Sequence, residues 1–137
     1  MTLTSPPQLV IDASAALHFA SQETGFSLLA DFQLAAPPLM WSEAFSVLHE
    51  SRWRRDVSSQ LSAETRERLI ACPARVYVGT RALVQAWEIA DRLGWAKTYD
   101  AEYIALARQL SCPLLTIDAR LQRGASHLVR IVSPADL

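Results

Sequence analysis

Short, nearly continuous apolar runs, set between segments of helical period, constrain this chain more than any other feature. Q-L-V-I-D at residues 8–12, P-L-L-T-I-D ending at Asp118, and L-V-R-I-V near the C-terminus do not alternate apolar with polar. A strand covered by helices on both faces reads this way, because every side chain leaves water. Pro6 and Pro7 precede the first run and bar an earlier helix start. A-R-V-Y-V, residues 74–78, stands open between a further strand and an extended loop, since Pro73 adjoins it.

Between the runs the period becomes helical. Trp41, Ala44, Phe45 and Leu48 fall at i, i+3, i+4 and i+7, as do Leu83, Ala86, Trp87 and Ala90. Tyr103, Leu106, Ala107 and Leu110 repeat the spacing. Thr80 is placed to cap the second of these helices, and Gly94 to follow it with a left-handed turn. Ser62 is read as the start of another helix, ending near Cys72 before Pro73. Strands alternating with helices predict an α/β fold with a mainly parallel central sheet flanked by helices.

Composition narrows the class. The chain has 137 residues, of which 50% are hydrophobic, so one domain spanning 1–137 with a core over about 8–133 is expected. Thirteen basic and 14 acidic side chains leave a net charge of −1, which announces neither disorder nor a strongly basic nucleic-acid binder. No apolar run is long enough for a membrane span. The opening M-T-L-T-S-P-P-Q lacks a secretory pattern, so a cytoplasmic location is expected. Cys72 and Cys112 are too few and too far apart for a disulfide framework or a zinc site. Lys97 is the only lysine beside twelve arginines. Arginine suits bidentate phosphate recognition, although a G+C-rich genome gives the same bias.

Carboxylates then stand in telling places. Asp12 and Asp118 end two predicted strands, and each is followed by a helix-forming segment. Asp100 in T-Y-D-A-E-Y opens a helix, and Glu43 in M-W-S-E-A is read in the first turn of its own. Each has an ordinary explanation, as a helix cap or as a negative charge near a helix start. In parallel α/β sheets, however, ligands bind at the carboxyl ends of the strands. A fold that gathers the starts of these helices there would collect all four. Two carboxylates about 4 Å apart repel by about 4 kcal/mol at an effective dielectric near 20. Such a cluster raises its pKa values or holds a cation, and all-oxygen ligation selects Mg²⁺ or Mn²⁺ over zinc. The chemistry indicated is metal-dependent phosphodiester hydrolysis.

The set V-I-D-A-S, W-S-E, Y-D-A-E-Y-I-A-L-A and L-L-T-I-D-A-R-L, in this order and spacing, resembles a PIN-domain ribonuclease. More narrowly it resembles the VapC-type toxins of bacterial toxin–antitoxin pairs. The likeness runs from residue 9 to about 132 and is most specific where G-W-A-K-T-Y-D-A-E-Y-I-A-L-A precedes C-P-L-L-T-I-D. Residues 50–80 match nothing family-specific. The resemblance implies a single PIN-like domain acting as a Mg²⁺- or Mn²⁺-dependent endoribonuclease that leaves a 5′-phosphate and a 3′-hydroxyl. It implies Asp12, Asp100 and Asp118 as metal ligands, Glu43 as a direct or water-mediated one, and Ser14 and Thr116 as residues that orient them. It also implies an RNA substrate, an antitoxin whose peptide covers the cleft, and a homodimer formed through helical surfaces.

Other residues carry weaker signals. Arg120 and Arg123 are candidates for RNA phosphates, against a solvated helix face. Glu102 is not at i+3 or i+4 from Asp100, and solvent exposure is its simpler reading. R-W-R-R at Arg52–Arg55 interleaves an aromatic with cations, which suits single-stranded RNA or packing of Trp53. His18, His49 and His127 lack metal spacing. A receiver-like module needs an acidic pair after the first strand, and a phosphatase with an aspartate nucleophile needs D-x-D. Ala13 and Ser14 follow Asp12 instead. The glycine-rich nucleotide signatures are absent. The remaining alternative is a PIN module that binds RNA or acts as a scaffold without cutting; loss of an acidic position would favour it, and none is lost.

Overall fold

The computed structural model describes residues 5–137. Residues 1–4, part of the N-terminal stretch considered above for a leader, lie outside the described residues. Five parallel strands form one sheet: β1 (Gln8–Ile11), β2 (Gln33–Ala36), β3 (Arg75–Val76), β4 (Leu114–Leu115) and β5 (Ile131–Val132). Their order is β3-β2-β1-β4-β5, with Val10 opposite both Ala35 and Leu114. Six α-helices accompany them: α1 (Ala13–Ala20), α2 (Leu39–Trp53), α3 (Ser59–Ile70), α4 (Thr80–Leu93), α5 (Tyr99–Leu110) and α6 (Ala119–Ala125).

The apolar runs behave as their patterning requires. Leu9, Val10 and Ile11 are buried, as are Leu114 and Leu115. The open segment 74–78 does pair as a strand, but only over Arg75–Val76, at the sheet edge beside β2. Strand β2 is the element that periodicity did not mark: Q-L-A-A is short and alanine-rich, and its burial comes entirely from neighbours. Among the described residues no helix is long and apolar enough to cross a membrane. Cys72 and Cys112 are buried free thiols.

Helix boundaries differ from the expectations in four places. Ser62 does not start α3. Ser58 does, in extended backbone, accepting a 3.1 Å hydrogen bond from the Leu61 amide, while Ser62 lies one turn in and donates to the Ser59 carbonyl. Thr80 is not a cap but the first residue of α4; Gly79 occupies the cap position at φ 152°, with no side-chain bond. Glu43 lies past the first turn, because α2 begins at Leu39. Asp100 is likewise no cap, since Thr98 holds that position in α5. Gly94 does end α4 in the left-handed conformation, at φ 70°. On α4, Ala86, Ile89 and Ala90 are buried, whereas Leu83 and Trp87 from the expected stripe are 50% and 65% exposed.

One consequence of the strand order positions everything below. From β1 the chain goes first to β2 on one side of it and much later to β4 on the other. The connections leaving β1 and β4 therefore diverge to opposite sides, which opens a crevice at their carboxyl ends. Asp12 is the first residue after β1, and Thr116 to Asp118 follow β4.

Candidate active site

That crevice is a cleft of about 580 Å³ lined by Asp12, Glu43, Asp100 and Asp118, with Ser14, Tyr103 and Arg120. The ends of β1 and β4, with helices α2 and α5, bring the carboxylates there from positions far apart in sequence. Asp12 caps α1 through Oδ1, which accepts the Ala15 amide at 2.9 Å. The same oxygen accepts the Ser14 hydroxyl at 2.7 Å, and Oδ2 accepts the Thr116 hydroxyl. Ser14 in turn accepts the Ile117 amide at 3.2 Å, and Thr116 accepts the Asp118 amide at 3.0 Å. The turns after β1 and β4 are thus tied together by hydroxyls, and Asp12 is held in one orientation at 5% exposure.

Asp118 caps α6, accepting the Arg120 amide at 2.9 Å, and forms an ion pair with the Arg120 guanidinium at 3.2 Å. Glu43 accepts a 2.5 Å hydrogen bond from the Tyr103 hydroxyl. Sequence reasoning took Tyr103 only as a core residue, which it is at 1% exposure. A buried phenol must place its hydroxyl on a partner, and that requirement was the only available signal. Asp100 is half-buried on α5, and among the described residues no hydrogen bond holds its carboxylate. Arg120 is at the cleft, whereas Arg123 is exposed outside its lining. Glu102 faces a separate groove beside Leu39, Val78 and Leu83.

The electrostatics follow from this crowding. Burial pushes the Asp12 carboxyl up, and the negative charge of Asp100 adds to it, against hydrogen bonds from Thr116, Ala15 and Ser14. Burial also raises Glu43, again with Asp100 repelling it, while the Tyr103 hydrogen bond opposes the rise. Asp100 is raised by burial and then by Asp118. Asp118 differs: despite its own burial, Arg120 holds it below the usual carboxylate range.

The donor chemistry suits a hard divalent cation. All the candidate ligands are carboxylate oxygens, and three of the four are destabilised as anions by burial and by one another. Among the described residues no three of them close into a ready-made cage. Mg²⁺ does not require one, since it keeps several waters and binds through one or two carboxylates plus substrate phosphates.

A family model described as the PIN domain matches residues 9–126, which takes in all four carboxylates. The chain is 35% identical over 118 residues to the VapC ribonuclease Mb0985 of Mycobacterium bovis, covering 82% of this chain and 87% of that one. This chain belongs to the PIN-domain family. Ribonuclease VapC9 of Mycobacterium tuberculosis matches with the same identity and coverage. Among solved structures, PAE2754 from Pyrobaculum aerophilum superposes with a TM-score of 0.75 over 96% of this chain and 86% of that one, at 19% identity. VapBC2 from Rickettsia felis, bound to a DNA fragment from their promoter, gives 0.63 over 92% and 98%, at 8% identity. Within this PIN fold, the cleft at the strand ends is the concave site where acidic side chains converge.

Proposed function

We propose that this PIN-domain chain is a Mg²⁺- or Mn²⁺-dependent endoribonuclease and the toxin of a toxin–antitoxin pair. The observation that carries the reading is the convergence of Asp12, Glu43, Asp100 and Asp118 on one cleft at the divergence of β1 and β4. Kinship with ribonucleases of the VapC type supports the RNA substrate, and the sequence resemblance to VapC-type toxins supports the antitoxin partner. An RNA substrate also fits a cytoplasmic setting.

In this reading Asp12, Asp100 and Asp118 hold the metal, with Glu43 beside them. When bound, the ion supplies charge neutralisation at the phosphate and a lowered pKa for a water. Ser14 and Thr116 lock the Asp12 carboxylate so that no reorganisation is needed on binding. Tyr103 on α5 does the same for Glu43 on α2. Asp100, free of hydrogen bonds, is the carboxylate best able to adjust. Arg120 sits where a phosphate approaching Asp118 would meet a guanidinium.

A homodimer is part of the proposal. Leu83, Val84 and Trp87 lie exposed on α4, and Val78 just before it is 78% exposed. Among the described residues this is the largest run of exposed large apolar side chains on one helix, and it lies outside the cleft's lining.

The test incubates purified protein with bacterial RNA, with Mg²⁺, Mn²⁺ or a chelator, and maps new 5′ ends beside an Asp100→Asn control. Discrete metal-dependent cuts that the variant lacks are expected. No cuts, despite measured Mn²⁺ binding, would move the assignment to a PIN module that binds RNA without cutting. Equal cutting by both proteins would remove the site from the reaction.

A further inference from the structure

The carboxylate cleft has a poor electrostatic match to its proposed substrate, and the far end of α2 has a good one. Among the cleft's charged side chains only Arg120 is an arginine, and it is already paired with Asp118. A polyanion entering there needs cations elsewhere along its path. Along α2, Glu43, Val47 and Ser51 follow one another at i+4 and line the cleft wall. Arg54 lies at i+11 from Glu43, three turns on and about 16 Å away on the same face. It caps the helix in helical geometry, so this phase holds to the end.

The chain then turns sharply. Arg55 adopts φ 63°, and the Arg55 and Asp56 amides donate back to Arg52 and Ser51 carbonyls, which closes the helix end rigidly. The left-handed position favours glycine, and an arginine stands in it. Trp53, between the arginines, is 80% exposed. Among the described residues neither Arg54 nor Arg55 forms an ion pair. The negative end of the α2 dipole accounts for cations here, but not for an uncovered indole among them. Val57, just past the turn, lines the cleft again, so cleft-lining Ser51 and Val57 flank the cluster in sequence.

We propose that Trp53, Arg54 and Arg55 form a platform that holds single-stranded RNA beyond the carboxylate cleft, a base stacking on the indole and phosphates meeting the guanidiniums. This rests on the ribonuclease reading and adds the place where the strand is gripped. Stacking on an exposed aromatic flanked by arginines tolerates any base, so the platform contributes affinity rather than sequence choice.

The test measures binding of a short, unstructured, fluorescein-labelled RNA by anisotropy, in Asp100→Asn protein so that the probe survives. Trp53→Ala is expected to weaken binding by about 5- to 150-fold, with Trp53→Phe retaining most of the affinity. Arg54→Ala with Arg55→Gly should lower the slope of log K against log salt by about 1.4, the value for two lost phosphate contacts on a single strand. Folding is controlled by the same substitution, because glycine is at ease at φ 63° and the melting temperature should hold or rise. In the cleaving protein these changes should raise KM and leave kcat nearly unaltered. If the parent protein cuts RNA and the variants bind and cut as well as it does, the platform is wrong and the nuclease reading stands. A parent that neither binds nor cuts RNA removes both. Unchanged RNA binding with weakened capture of an acidic antitoxin peptide would assign the surface to that peptide and overturn the proposal.

Discussion

Asp12 serves two ends at once, and they are separable by chemistry. Its Oδ1 accepts the Ala15 amide at the start of α1, a capping bond that does not need a charge. Asparagine caps about as well as aspartate, whereas alanine forfeits about 1 kcal/mol. Asp12→Asn keeps the cap and removes a buried charge, so it should melt no lower than the parent at neutral pH, and Asp12→Ala several degrees below Asp12→Asn, with RNA cleavage abolished in both. Equal melting of the two would show that the cap contributes nothing. Thr116→Val is the complementary change, since it keeps the volume and removes the donor to Oδ2. A buried carboxylate oxygen left without its partner costs about 1–3 kcal/mol. Cleavage should also fall by about 10- to 100-fold, because the ligand is no longer oriented. Parent-like melting and activity in Thr116→Val would show that the hydroxyl does not orient Asp12.

At the level of elements, how much the sequence disclosed depended on what signal each one emitted. β1 was legible because its buried apolar residues are contiguous, and α2 and α5 because their stripes have the right period. Asp12, Asp118 and Asp100 were legible because strand ends and a helix start meet at the carboxyl ends of a parallel sheet, whereas Glu43 reaches the cleft from past the first turn of α2. β2 was not, as its two alanines carry little hydrophobic signal and become strand only through pairing with β1. Tyr103 and Glu43 are 60 residues apart, so no local pattern announces their hydrogen bond. The caps failed for local reasons: Ser58, Ser59 and Ser62 crowd the start of α3, and at α4 the cap position falls to Gly79 in positive φ, one residue before the threonine. Calorimetry tests the corrected assignment. Ser58→Ala should cost about 1 kcal/mol, the ordinary value for a lost side-chain cap. Thr80→Ala should stay within about 0.5 kcal/mol, because no capping bond is there to lose. The reverse order would restore the boundaries read from sequence.

For the whole molecule, exposed apolar surface and clustered charge set the behaviour in solution. If α4 carries the dimer interface, Leu83→Glu with Trp87→Glu should shift sedimentation from dimer to monomer while the helix stays folded, since neither side chain is in the core. A parent protein that sediments as a monomer would remove the dimer altogether. The carboxylate cluster makes a second demand that spans both sheet halves. Asp12, Glu43 and Asp100 are all raised above their usual values by burial and then partly by mutual repulsion. Their folded forms therefore bind protons more readily than the unfolded chain does. Stability from these groups is complete below the ordinary carboxylate range and is lost as pH rises through the raised values. Metal-free protein should melt at higher temperature as pH is lowered from neutral toward the ordinary carboxylate range, the opposite of a protein whose acids are salt-bridged. Asp118, held low by Arg120, works the other way, but its loss falls below the ordinary range and outside this window. Asp100→Asn, which removes the charge repelling both Asp12 and Glu43, should flatten the slope. Saturating Mn²⁺ should raise the melting temperature most at neutral pH, where the carboxylates repel most, and least near the ordinary carboxylate range, where protons compete for the same oxygens. A melting temperature that Mn²⁺ raises equally at both values, or in Asp100→Asn as much as in the parent, would show that the ion binds away from this cluster.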